Sequence, residues 1–341
     1  MNIWTLSVTA VVSLIIAFAI GFPLIPALRK LKFGQTILDI GPAWHKAQKQ
    51  GTPTMGGFMF IIGTTVAFAL GLFMLWRAGL TNFGFSGNMQ FFNAVSGFML
   101  ALSMGFMGFL DDWLKVRRKK NEGLSVNQKL ILQALIIAAY FATRVLAGDE
   151  QTFVNIPIVD YQLQLGFFYY IIMGLAIMYL VNAVNFTDGI DGLCGSVTVV
   201  YCAVFMVICG LLAHHELGVL AAATAGGCIG FLIWNFNPAK VFMGDTGSMF
   251  LGGIVCALGL GARAEIVMII AAAVYIWEAL TVLIQTTYFK LTGGKRLFKM
   301  TPIHHSFEMR GWRETKIVFV FCAIGAVFGL GAIALTYFSL P

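Results

Sequence analysis

The sequence is poor in charge: 11% of its 341 residues are Asp, Glu, Lys or Arg, where an ordinary soluble domain carries roughly 25%. With 59% apolar residues and a mean hydropathy of +0.86, that scarcity excludes a soluble globular chain and points to an integral membrane protein. No C-x-x-C pair is present. The six cysteines (Cys194, Cys202, Cys209, Cys228, Cys256 and Cys322) fall in or beside apolar segments, so neither a disulfide framework nor a zinc site is expected. No linker, low-complexity tract or internal repeat breaks the chain, which reads as a single domain over 1–341. No basic region precedes the first apolar run, Trp4 to Leu28, and that run is too long for a cleaved signal peptide.

Apolar runs of roughly 20 residues, enough to cross the hydrocarbon core, occur at about 4–28, 54–76, 91–110, 129–147, 166–184, 193–213, 216–236, 246–262, 265–289 and 316–338. The expected fold is therefore all-α and polytopic, with ten transmembrane helices. The pI near 9.1 would suggest a nucleic-acid partner in a soluble chain. Here the cations cluster beside the spans, and 19 of the 22 Lys and Arg residues lie in loops that follow odd-numbered spans. That asymmetry is topological and implies no nucleic acid: the cation-rich loops are expected to be cytoplasmic and both termini extracytoplasmic. The remaining cations, Arg77, Arg144 and Arg263, lie near the even-numbered connections with Asp149, Glu150, Asp160, Glu216 and Glu265, which are expected to link helices.

The acids and histidines of the odd-numbered loops form the candidate chemistry. Asp111 and Asp112 open the second of these loops in "MGFLDDWLKVRRKK"; Asp188 and Asp191 lie in "NAVNFTDGIDGL", Asp245 in "VFMGDTGS", and His304 and His305 in "TPIHHSFE". Each has a plain alternative. An Asp pair at a helix end caps or bounds the helix, paired Asp and Gly residues make turns, and G-D-x-G-S makes a loop. Convergence on one membrane face favours chemistry, because several carboxylates in a mostly uncharged chain repel unless a cation joins them. Adjacent carboxylates suit Mg²⁺, a hard cation that takes oxygen ligands and phosphates. Nearby Lys and Arg then bind phosphate, and glycine turns let backbone N–H groups approach anionic oxygens.

In the first loop, Pro53 at the first turn of the second span with Thr52 as its cap is one reading. An anion site at that helix start beside Lys49 is the other. The paired histidines fit phosphate donation, acid–base work or metal ligation. His214 and His215 lie on the outer side as ordinary loop residues. Glu278, midway along the ninth span, is either functional or marks a polar helix–helix contact or kink.

Five blocks, "GTPTMGG", "FLDDWLKV", "NAVNFTDGIDGL", "NPAKVFMGDTGS" and "MTPIHHSFE", in this order on alternate loops, closely resemble the bacterial phospho-N-acetylmuramoyl-pentapeptide transferase family, of the polyprenyl-phosphate N-acetylhexosamine-1-phosphate transferase superfamily. The resemblance covers essentially the whole chain. It implies Mg²⁺-dependent transfer of phospho-MurNAc-pentapeptide from UDP-MurNAc-pentapeptide to undecaprenyl phosphate, giving lipid I and UMP in peptidoglycan synthesis. The site would face the cytoplasm from the bacterial inner membrane, within the lipid bilayer, in a homodimer.

It also implies roles for individual residues. Asp111 would be a base on the lipid phosphate, Asp245 the principal Mg²⁺ ligand with Asp111 and Asp112, and His304 and His305 part of the catalytic set. Lys49, Thr52, Lys115, Lys129, Asn185, Asp188, Asp191, Asn235 and Phe242 would bind substrate, Phe242 by stacking on uracil. One position departs from the pattern: Ser306 stands where the family commonly has a third histidine. Direct attack by the lipid phosphate and a covalent phosphoryl-enzyme both remain open. The rival enzyme reading is a UDP-GlcNAc:polyprenyl-phosphate GlcNAc-1-phosphate transferase. The rival from another class, a transporter or channel, would place polar groups near the bilayer midplane, where only Glu278 lies deep.

Overall fold

The computed structural model describes residues 3–30, 49, 51–83, 88–118, 122–159 and 161–340. Most of the first cation-rich loop, with Lys32 and Lys46, and also Lys119, Lys120 and Asp160, lie outside the described residues. Among the described residues the architecture is all-α apart from one small hairpin. In chain order the helices are α1 (Ile3–Lys30), α2 (Phe58–Arg77), α3 (Met89–Arg118), α4 (Val126–Leu146), α5 (Phe168–Thr187), α6 (Leu193–Leu211), α7 (His215–Asn235) and α8 (Gly244–Gly261). α9 (Glu265–Ala271), α10 (Ala273–Leu291), α11 (Ile303–Glu308) and α12 (Glu314–Phe338) complete the set. Between α4 and α5, β1 (Phe153–Ile156) pairs antiparallel with β2 (Tyr161–Gln164), a hairpin that apolar runs of spanning length do not announce.

Among the described residues, nine helices are long and apolar enough to cross a membrane, and a tenth span results if α9 and α10 are counted together. Those two are bent by 74° at Ala272. The expected ninth span is thus a broken one. Hydropathy does not register the break, because the corner is made of alanines that keep the run apolar.

α8 occupies the middle of the bundle. Every residue from Thr246 to Gly261 is buried, against α3 and α5 chiefly, with α2, α6, α7 and α9 around them. A helix enclosed on all sides gains nothing from bulky lipid-facing residues, so it is rich in glycine, which lets its neighbours come close. The peripheral α1 and α12 do the reverse, exposing large apolar side chains such as Trp4, Phe22, Phe319, Val327 and Phe338 toward the place of lipid. The inner stripe of α1 is small (Thr5, Thr9, Ser13, Ala17, Gly21) and lies against α2 and α7.

The polar groups of the even-numbered connections join elements as expected. Arg144 of α4 donates from Nε to Asp149 Oδ2 at 2.8 Å and from a guanidinium nitrogen to the Tyr140 hydroxyl at 2.9 Å. Arg263 is ion-paired with the same Asp149, and the Tyr169 hydroxyl donates to Glu265 at 2.9 Å.

Candidate active site

The contact of α3 with α8 builds the site. Gly108 lets the two backbones meet: a Cβ there would lie 2.1 Å from the Asp245 carbonyl oxygen. Three and four residues further along α3, Asp111 and Asp112 are therefore delivered to the first turn of α8. The Asp pair does not open a loop as expected. α3 continues to Arg118, so both aspartates are helical and buried, and Lys115 lies one turn on, on the same face.

Asp112 caps α8. Its Oδ2 accepts from Thr246 N at 2.9 Å and Thr246 Oγ1 at 2.7 Å, and its Oδ1 accepts from Asp245 N at 3.3 Å. Orphan donors of a helix start are satisfied by a carboxylate from another helix, at the end where the helix dipole favours negative charge. Gly244 precedes this turn at φ +70°, with Asp112 Oδ2 only 2.5 Å from where a Cβ would stand, so the position suits glycine twice over.

Around this cap the charges converge. Lys115 Nζ lies 2.5 Å from Asp111 Oδ2 and 3.1 Å from Asp245 Oδ2. Lys129 Nζ, from the first turns of α4, lies 3.1 Å and 2.8 Å from the same two oxygens. Asp111 Oδ1 accepts from Leu124 N at 2.7 Å, which ties down the approach to α4. Asn185 donates to Asp245 Oδ1 at 3.0 Å and to Ser248 Oγ at 2.7 Å. One oxygen from each of Asp111, Asp112 and Asp245 lies within 4.8 Å of the others. Three carboxylates against two ammonium groups leave negative charge in excess, and the all-oxygen donor set matches a hard divalent cation. The distance between Asp112 and Asp245, on which the sequence reading depends, is within reach of one ion.

The third-loop turn adjoins this cluster. Burial pushes the Asp188 carboxyl well above the usual carboxylate range, and the negative charges of Asp245, Asp112 and Asp191 push it the same way. Asp191 braces the turn: its Oδ1 accepts from Lys49 Nζ at 2.7 Å, and its Oδ2 from Ala239 N at 2.9 Å and Asn237 Nδ2 at 3.1 Å. Lys49 also donates to Glu314 at 2.8 Å, and Glu314 accepts from Asp191 N at 2.8 Å. Burial alone would lower the Lys49 pKa; the charges of Glu314 and Asp191 outweigh it and raise the value. Asn235 is a further brace, accepting from Gly192 N at 3.0 Å and donating to Val241 O at 2.8 Å.

The first loop differs from its expected form. α2 starts at Phe58 with Gly57 before it and no side-chain cap, so Thr52 is not its cap and Pro53 is not in its first turn. Instead, residues 53–57 run beside 242–243: Phe242 N donates to Pro53 O at 2.8 Å, Gly56 N to Phe242 O at 2.8 Å and Gly57 N to Met243 O at 3.1 Å. These bonds fix Phe242, whose side chain is half-buried. Thr52 lies at the same strip, its N–H bonded to Lys49 O at 3.2 Å.

His304 and His305, on α11, stand behind the Asp188–Asp191 turn. His304 is fully buried with Nδ1 3.0 Å from Glu278 Oε2, and His305 Nδ1 lies 2.6 Å from Glu308 Oε2. Glu278 thus makes a polar interhelical contact, one of the readings its sequence position offered. Ser306 closes the preceding loop, donating to Met300 O at 2.6 Å and accepting from Met300 N at 3.1 Å.

The structure therefore brings Asp111, Asp112, Asp245, Lys115, Lys129 and Asn185 into one cluster, with Asp188 at its edge. Lys49, Asp191 and Asn235 form a bracing group beside it. Glu314, Thr246 and Glu308 were not foreseen. Thr246 had a readable signal, a hydroxyl directly after the candidate ligand at a helix start. Glu314 pairs with a lysine 265 positions upstream, and no local pattern carries that.

Residues 94–263 match the sequence profile of glycosyl transferase family 4. Curated relatives named phospho-N-acetylmuramoyl-pentapeptide-transferase include those of Clostridioides difficile (strain 630), 43% identical over 331 residues and 96% of each chain. The relative from Listeria monocytogenes serotype 4b (strain CLIP80459) is 39% identical over 339 residues, covering 99% of this chain and 100% of the relative. That of Pelotomaculum thermopropionicum is 40% identical over 343 residues and 98% of each.

Proposed function

As a chain that belongs to the phospho-N-acetylmuramoyl-pentapeptide transferase family, this enzyme, we propose, uses Mg²⁺ to move phospho-MurNAc-pentapeptide from its UDP carrier onto undecaprenyl phosphate, releasing UMP and forming lipid I. The observation that carries the reading is the meeting of Asp111, Asp112 and Asp245 with Lys115 and Lys129 at the α3–α8 contact. The reaction brings two anionic phosphates together, so its barrier is dominated by charge. Lys115 and Lys129 are placed to draw those phosphates in and hold them. Asp111, whose Oδ2 faces both ammonium groups, is the proposed base for a residual proton on the lipid phosphate. Asp245, aimed by Asn185, and Asp112, which fixes the start of α8, would hold the cation with Asp111. When bound, Mg²⁺ supplies charge neutralisation at the diphosphate and eases departure of UMP.

Phe242, fixed by the 53–57 strip, is proposed to stack on uracil beside Thr52 and Asn235. Lys49 and Asp191 shape the nucleotide side of the third-loop turn. His304 and His305 complete the set from behind that turn, and no step here requires a third imidazole at Ser306. We place the site at the cytoplasmic face of the bacterial inner membrane, as the cation-rich loops suggest, in a single-domain protein that forms a homodimer.

Purified protein supplied with UDP-MurNAc-pentapeptide and undecaprenyl phosphate tests this. UMP release that stops in EDTA, returns with Mg²⁺ and is lost in Asp245→Asn is the expected result. Equal or greater turnover with UDP-GlcNAc would transfer the assignment to the GlcNAc-1-phosphate rival. Undiminished release in excess EDTA would remove the cation from the account.

A further inference from the structure

Glu278 is a fully buried carboxylate of α10, within two turns of the α9–α10 bend, and the cation-and-lysine cluster makes no use of it. A buried acid in an apolar bundle is costly unless something holds it. Its partner is the equally buried His304, Nδ1 to Oε2 at 3.0 Å. Neither ring nitrogen of His304 and neither carboxylate oxygen of Glu278 has a hydrogen bond of regular geometry among the described residues, so the pair meets by close contact alone, and Nε2 is the nitrogen that faces the third-loop turn. It lies against the backbone of Gly189: a Cβ on that glycine would be 2.2 Å from His304 Nε2 and 3.2 Å from His305 Nε2. The two imidazoles, their centroids 4.1 Å apart, thus press on the one residue that separates Asp188 from the rest of its turn.

We propose that Glu278 and His304 are a positioning pair. Glu278 fixes the His304 ring through Nδ1, and the Nε2 edge props the Asp188–Asp191 turn against the carboxylate cluster. His304 then acts through the turn and not on a reacting atom, which agrees with its complete burial. The broken ninth span acquires a purpose in this arrangement, since the bend leads into the segment that carries Glu278. Carboxylates that orient a metal-ligating histidine change metal affinity or activity by about 10–100-fold when removed, and a loss of the same order is expected for a histidine oriented to hold a turn. The effect on turnover rests on the transferase reading; the effect on the turn does not.

Two readouts test the pair in Glu278→Gln, His304→Ala, the double variant and Gly189→Ala. The first is hydrogen exchange of the peptide spanning 185–193 in the purified full chain. Exchange there should rise in each single variant and rise no further in the double variant, while the Arg144–Asp149 region stays as in wild type. The second is steady-state UMP release, where kcat should fall about 10–100-fold with the KM for the nucleotide substrate changed less, and the double variant should be no worse than His304→Ala. Gly189→Ala keeps Glu278 and must still reproduce both effects, because its methyl displaces the ring. Unchanged exchange in Glu278→Gln and Gly189→Ala, or losses that add in the double variant, would overturn the pairing. An inactive wild type with the predicted exchange pattern would refute the transferase reading and leave the pairing standing.

Discussion

Asp188 shows what a single residue gives up for its place. Burial first, then the charges of Asp245, Asp112 and Asp191, raise its pKa well above the ordinary carboxylate value. A carboxyl raised in the folded protein releases its proton more readily when unfolded. The native state therefore loses stability as pH rises from the ordinary carboxylate range through the raised value. Asp188→Asn removes that penalty. In EDTA the variant should melt above wild type at pH 7, by a few degrees, and the gap should close as the pH is lowered toward 4, as followed by thermal unfolding at several pH values. A gap independent of pH would show that ionisation of Asp188 is not its source.

At this scale the residue types were legible and several roles were not. The carboxylates, lysines and histidines were readable because charged groups are rare in this chain. That Asp112 caps α8, or that Lys49 is shared by Asp191 and Glu314, depends on contacts across more than a hundred residues, which leave no local pattern.

At the scale of elements, the α3–α8 contact controls the geometry. Gly108 and the Asp245 carbonyl touch, so Gly108→Val should force the helices apart and move Asp111 and Asp112 off Asp245. Misplacement of about 1 Å can cost 100-fold in rate, so UMP release should fall by about that factor while helical content by circular dichroism is retained. Wild-type turnover in this variant would mean that the contact does not set the site.

Hydropathy located the spans well, and it failed where its own logic fails. It ended the third span at Leu110, where charge begins, although Asp111, Asp112 and Lys115 remain helical because their neighbours satisfy them. It ran α2 back to residue 54, although the glycines at 56 and 57 serve a strip beside 242–243. It drew one continuous run through Ala272, since alanine is apolar on both sides of a bend.

For the whole molecule, the unequal spread of cations makes a claim about orientation that a labelling experiment reaches. Gln162 in the hairpin and Arg310 after α11 are both exposed and belong to opposite classes of connection. In intact cells a membrane-impermeant maleimide should modify Gln162→Cys and leave Arg310→Cys unmodified until the membrane is permeabilised. The reverse pattern would invert the topology and place the carboxylate cluster outside the cytoplasm.

The most direct measurement of the central claim is a Mn²⁺ titration of the purified protein followed by electron paramagnetic resonance, with Mn²⁺ standing in for Mg²⁺. One ion per chain should bind to wild type, weaken in Asp112→Asn and be lost in Asp245→Asn. Binding of wild-type strength in a protein that carries both Asp111→Asn and Asp245→Asn would contradict the assignment of the ion to the junction of α3 and α8.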